Sequence, residues 1–157
     1  MSSASTPSDR PAVSTAERRA LMALSAEATH EELSAAFDAL GRPEHGDLRA
    51  PEIGLVMLRG RTGGDGAPFN LGEATVTRAA VRLGSGHVGY AYLLGRDPAR
   101  ARLAAVLDAV QQSGGTAAIE RCFADPVRRR IAHDRARGAA RTAATRVDFF
   151  TLVRGED

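Results

Sequence analysis

The sequence predicts a single α+β domain, and three observations carry that prediction. Two capped amphipathic helical segments open the chain, three segments of strand character follow with no helical period between them, and a firm helical stripe comes directly after the third. Successive strands joined by short links pair as antiparallel neighbours. The expected architecture is a mainly antiparallel sheet of three to four strands with helices packed on it.

The elements follow from the residues in order. The first 13 residues, MSSASTPSDRPAV, are rich in Ser and Pro and lack the apolar core of a signal peptide. They read as a disordered tail, which leaves residues 14–157 as the domain. Ser14 and Glu17 have capping-box spacing, with Leu21 and Leu24 following on one side, so a first helix is expected over 15–26. Thr29 and Glu32 repeat the device, and Leu33, Ala36, Phe37 and Leu40 fall at helical spacing before Gly41 and Pro43 close the segment.

Residues 42–52, with Pro43, Gly46 and Pro51, read as a linker or wrapping loop. A strand is expected over 53–61; it is apolar on both faces at Leu55 to Leu58, the pattern of a central strand covered on both sides. Thr62 to Gly72 carries four glycines and a proline and reads as a long mobile loop.

Residues 73–83, EATVTRAAVRL, form the second strand. Side chains alternate with period two, so Arg78 and Arg82 share a face across the small Ala80, about 13 Å apart at about 3.3 Å per residue. Thr75, Thr77, Ala79, Val81 and Leu83 take the other face. A turn at Gly84, Ser85 and Gly86 suits a hairpin into a third strand over 87–94, with Val88, Tyr90, Tyr92 and Leu94 on one face. Asp97 and Pro98 read as N-cap and first residue of a helix over 98–112, striped by Leu103, Val106, Leu107 and Val110 and ending near Gly114.

From Ile119 to Ala143 the pattern is helical, interrupted near Asp125 and Pro126, with the main helix over 126–143. Eight arginines stand against two aspartates between 121 and 146. Val147, Phe149, Thr151 and Val153 alternate as in a last strand, while Val147, Phe150 and Arg154 fit a helical period; both readings stay open.

Composition excludes several chemistries. All 21 basic residues are arginine, so neither the lysine of a Walker A loop nor the amine of Schiff-base chemistry is available from a side chain. The one cysteine, Cys122, allows no disulfide within the chain and suits a reducing compartment. No stretch approaches about 18 consecutive apolar residues, so no membrane span is expected and the cytoplasm is the expected location.

Among motifs, Gly84 to Gly89 matches G-x-G-x-x-G but leads into a strand, YAYLL, where a dinucleotide fingerprint must open a helix. The run Gly60 to Gly66, flanked by Arg59 and Arg61, and the segment Gly95, Arg96, Asp97 at a helix start are candidate anion sites. His30, His45, His87 and His133 have no metal-ligand spacing, so no metal site is expected. There is no nucleophile elbow and no local Ser/His/Asp or Cys/His signature. The arginine-rich 121–146 segment lacks aromatics for stacking bases, which favours a solvated face or protein interface over a nucleic-acid-binding role.

Four long runs, EIGLVMLRGRTGGDGAPFNLGE (Glu52 to Glu73), ATVTRAAVRL (Ala74 to Leu83), GYAYLLGRD (Gly89 to Asp97) and ATRVDFFTLVRG (Ala144 to Gly155), resemble the PhnG family, the G subunit of the carbon-phosphorus lyase core complex of bacterial phosphonate breakdown. The resemblance covers residue 15 to the end, loosely over 112–130. It implies an assembly with H, I and J subunits that acts with an ATP-binding-cassette subunit, L. In the family, G, H, I and L exchange the adenine of ATP for a phosphonate at the ribose C1 position, giving an alpha-D-ribose 1-phosphonate 5-triphosphate. The nucleosidase activity is attributed to I, and radical carbon-phosphorus cleavage to the iron-sulfur J subunit. ATP and the phosphonate are thus substrates of the complex, and no cofactor or catalytic residue is expected in this chain.

Two roles are open for its arginines under that resemblance. Arg78, Arg82, Arg96 and Arg146 are candidates for holding phosphate or phosphonate oxygens at an intersubunit site. Alternatively, together with Asp148, Phe149 and Phe150, they form the interface with the I subunit, the expected direct partner. The interface reading is preferred.

Overall fold

The computed structural model describes residues 13–145. Both N-terminal helices form where the capping boxes place them. Helix α1 (Thr15–Glu27) starts at Ser14, whose hydroxyl accepts from the Glu17 N–H at 3.2 Å while the Glu17 carboxylate accepts from the Ser14 N–H at 2.9 Å. Helix α2 (His30–Ala39) repeats this with Thr29 and Glu32 at 3.2 and 2.8 Å.

The sheet is an antiparallel meander, β1 (His45–Arg61), β2 (Pro68–Leu83) and β3 (Val88–Leu94), in spatial order β1-β2-β3. Three expectations fail in this region. Residues 45–52 are strand and not loop, because irregularities between Asp47 and Arg49 and between Arg49 and Glu52 absorb the extra residues and Pro51. Pro51 is tolerated because β1 lies at an edge, where alternate N–H groups have no ladder partner.

The second correction concerns the place of β1. It is an edge strand, not a central covered one, and Ile53, Leu55, Met57 and Leu58 are 41–61% exposed. Apolarity on both faces reads as double coverage, yet here it marks surface that the described residues leave open. Third, the loop is short: β2 begins at Pro68, and Gly63 and Gly64, both at positive φ, turn the chain tightly. The paired stretch 55–61 with 68–75 consequently extends as a ribbon, since β3 pairs only with Val76 to Arg82.

Helix α3 (Pro98–Val110) is capped by Asp97, which accepts from the Arg100 N–H at 2.9 Å, and lies across β2 and β3. It approaches closely because Ala101, Ala105 and Ala109, all fully buried, present no bulk. Gly89 on β3 completes the contact: a Cβ there would stand 2.0 Å from the Ala105 carbonyl oxygen. Thr77, Ala79, Val81 and Leu83 of β2 and Ala91 and Leu93 of β3 fill the layer beneath, with Leu33, Phe123 and Val127 sealing its flank.

After α3 the helical path continues through wider turns, kinked at Gly114 (φ 94), to α4 (Thr116–Ile119) and then α5 (Asp125–Ala144), with Pro126 in its first turn. Beyond Ile131 every residue of α5 is exposed. The strand-or-helix question at 147–153 lies outside the described residues.

Arginine forks tie these elements together. Arg18 on α1 grips Asp108 of α3 with bonds of 2.8 and 2.7 Å; Arg102 of α3 grips Asp47 of β1 at 3.0 and 2.7 Å; and Arg130 of α5 grips Glu32 of α2 at 2.7 and 3.1 Å. Each pair is bidentate, a geometry suited to guanidinium and unavailable to lysine.

Candidate functional site: the open face of the sheet

Strand alternation puts Thr77, Ala79 and Val81 under α3, and so turns Arg78, Ala80 and Arg82 outward beside Val88, Tyr90 and Tyr92 of β3. No described helix covers this second face, and Tyr90 and Tyr92 are 52% and 58% exposed. Leu48, Arg49, Arg78, Ala80, Tyr90 and Tyr92 line a shallow groove of about 390 Å³ across it.

The central arginine of the groove is paired within the chain. Arg78 Nε bonds Glu52 Oε1 from the neighbouring strand, and Arg78 donates to the Tyr92 hydroxyl at 3.2 Å; both raise the guanidinium further above its ordinary value, the tyrosine contact more strongly. Arg49 approaches the same Glu52 oxygen at 3.2 Å. Two arginines thus share one carboxylate, which fixes the Arg78 fork along the sheet surface. Glu52 was missed as a site residue because its segment reads as loop; its position directly opposite Arg78 becomes visible only with the strand register.

The other candidates do not converge with Arg78. Arg82 stands opposite Gly46 and Val88 near the hairpin end, exposed and without a carboxylate in ion-pair range among the described residues. Arg59 and Arg61 lie at the far end of the ribbon, opposite Asn70 and Pro68. Seven positions of β1 separate Arg59 from Glu52, roughly 23 Å of strand. Arg61 donates from one Nη to the Gly66 carbonyl at 3.1 Å, which ties it to the glycine turn, and its side chain is exposed. Arg96 is exposed beside the α3 cap, where the Asp97 N–H donates to the Thr77 hydroxyl at 3.1 Å. Arg146, Asp148, Phe149 and Phe150 lie outside the described residues.

Among the described residues no three His, Cys, Asp or Glu side chains gather as a metal site. Ser85 Oγ lies 3.0 Å from His87 Nδ1, an exposed contact within the β2–β3 turn in which no described carboxylate orients the imidazole. Burial pushes the Cys122 thiol up, away from a reactive thiolate.

The family described as "Phosphonate metabolism protein PhnG" matches residues 16–155. The chain belongs to the PhnG family. A protein of Rhizobium meliloti (strain 1021) described as "Alpha-D-ribose 1-methylphosphonate 5-triphosphate synthase subunit PhnG" is 56% identical over 143 residues, which span 90% of this chain and 92% of that relative.

Proposed function

We propose that this chain is an accessory subunit of a multi-subunit transferase that moves the ribose 5-triphosphate moiety of ATP onto a phosphonate with release of adenine. Its part is to bind and order a partner, with the I subunit as the direct contact and the H, J and L subunits as members of the same system. The observation that carries this reading is the likeness of 90% of the chain to a protein described as a synthase subunit. The Arg78, Glu52 and Tyr92 cluster supports the interface role, since two of the five N–H donors of Arg78 are already committed to a carboxylate and a phenol.

A second reading, direct contact with substrate phosphates, is favoured by Arg82 and Arg96, which are exposed and lack a carboxylate partner among the described residues. Phosphorus NMR of ATP plus methylphosphonate tests the proposal, with H, I and L present and this chain first omitted and then restored. Ribose 1-methylphosphonate 5-triphosphate should form only on restoration. Undiminished product without the chain contradicts the proposal. Complexes carrying Arg82→Ala or Arg96→Ala should assemble and turn over normally; normal assembly with lost turnover would favour phosphate contact.

A further inference from the structure

The two edges of the sheet are treated differently. At the β3 edge, helix α3 and the wider turn after it close off backbone groups that would otherwise face outward: the Tyr90 N–H donates to Asp108 Oδ2 at 2.8 Å, and the Val88 carbonyl accepts from Gln112 Nε2 at 2.7 Å. With Tyr90 and Val88 so engaged, that edge is a poorer template for an added strand. Along β1 from Ile53 to Arg61, among the described residues, the backbone bonds only to β2.

The register says which groups remain free. In an antiparallel strand each residue directs both backbone groups to one side, and successive residues alternate sides. Leu83 N–H bonds the His87 carbonyl and Gly95 N–H bonds the Thr75 carbonyl, so odd residues of β2 face β3. Gly84 N–H bonds the Glu44 carbonyl, so even residues face β1. Gly54 and Val56, opposite Val76 and Ala74, are therefore the bonded positions, and Ile53, Leu55 and Met57 point their backbone groups away from the sheet.

The side chains there have the same incompleteness. Ile53, Leu55 and Met57, with Leu58, Phe69 and Leu71 nearby, are all more than 40% exposed. A bare apolar edge strand of about nine residues, roughly 30 Å long, is an aggregation template unless something covers it. Between residues 53 and 61 the only charged side chains are Arg59 and Arg61, at one end.

We infer that β1 accepts an added strand: an extended segment of a companion subunit, apolar where it runs along Ile53 to Leu58 and carrying carboxylate where it passes Arg59 and Arg61. The main-chain ladder supplies register, and the apolar side chains of the segment cover both faces of the ribbon. This rests on the subunit reading above, and it adds a partner contact on the ribbon edge, separate from the Arg78 groove.

Residue-resolved amide hydrogen exchange on the free chain and on its complex with the H, I and J subunits tests it. The amides of Ile53, Leu55 and Met57 should slow at least 100-fold in the complex, while those of Gly54 and Val56 are protected in both states. If the complex forms and those three amides still exchange freely, no strand is added and the inference fails while the subunit reading stands. Failure to form any complex overturns the subunit reading itself. Protection already present in the free chain also overturns the inference, the occupant being a second copy if the chain is dimeric and its own C-terminal segment if monomeric. A second measurement needs no free chain: in co-expression with the partners, Arg59→Glu/Arg61→Glu chains should be displaced by wild type at least 10-fold. Equal incorporation of both forms overturns the acidic occupant.

Discussion

The backbone N–H of Tyr90 and the guanidinium of Arg18 meet on one carboxylate, that of Asp108, which is 1% exposed. Gln112 Nε2 lies 3.3 Å from the same oxygen that Tyr90 uses. A buried carboxylate with this many donors joins a helix at the N-terminus to the edge of the sheet. Removing it strands a strand N–H and part of a charge.

Asp108→Ala should therefore cost about 3 kcal/mol in chemical denaturation, toward the lower end for a broken buried pair because Arg18 is partly solvated. Arg18→Ala should cost less, since Asp108 keeps its bonds to Tyr90 and Gln112. The double variant should fall short of the sum of the two. Additive losses would mean that the two side chains act independently.

Gly89 offers a sharper steric test. An added Cβ would lie 2.0 Å from the Ala105 carbonyl oxygen and 2.5 Å from the Ala109 nitrogen, both backbone atoms of α3 that no rotamer change can move. Gly89→Ala should push α3 off the sheet at a cost of about 3 kcal/mol or more. Gly54→Ala, with nothing within 4 Å of its added methyl, serves as the control and should leave the melting temperature within a few degrees.

Acid should loosen the helix attachments. The Arg130 fork holds the Glu32 carboxyl below the usual carboxylate range, and Arg102 does the same for Asp47. Because these folded-state values are depressed, the stabilisation is complete above the unfolded carboxylate range, near pH 5, and is lost as pH falls through about 4 and below. Partial solvation limits each pair to about 0.5 kcal/mol. Melting temperature should be flat between about pH 6 and 8 and should drop by pH 4 less steeply in a Glu32→Gln/Asp47→Asn variant. A rise in stability on acidification would contradict the assignment.

The parts of the fold that were legible in the sequence are those decided locally. Ser14 with Glu17, Thr29 with Glu32, and Asp97 with Pro98 fix helix starts through bonds spanning three residues, and alternation alone assigned the faces of β2 and β3. The errors cluster on β1, where the outcome depends on other elements. Irregular pairing hides strand character around Pro51, and nothing in ILE-GLY-LEU-VAL apolarity distinguishes a covered strand from one awaiting cover. For the site, Arg78 was legible from period two, whereas Glu52 and Arg49 were not, because the cross-strand register that joins them to Arg78 is a tertiary fact.

That difference between stability and coverage gives the last prediction. Leu55 and Met57 are more than half exposed, so Leu55→Ser/Met57→Ser removes little that the isolated fold buries and should change its stability by only about 0.5 kcal/mol per site. Val81, with no exposure at all, sits under α3, and Val81→Ala should cost about 2 kcal/mol by opening a cavity. In denaturation the core variant should therefore be the weaker protein. In co-purification the order should reverse: the ribbon variant should lose its partners while remaining folded and more soluble, and the core variant should retain them in proportion to its folded fraction. If both variants lose stability together, the ribbon belongs to the chain's own core; if both keep their partners equally, the apolar side chains of β1 are not the contact.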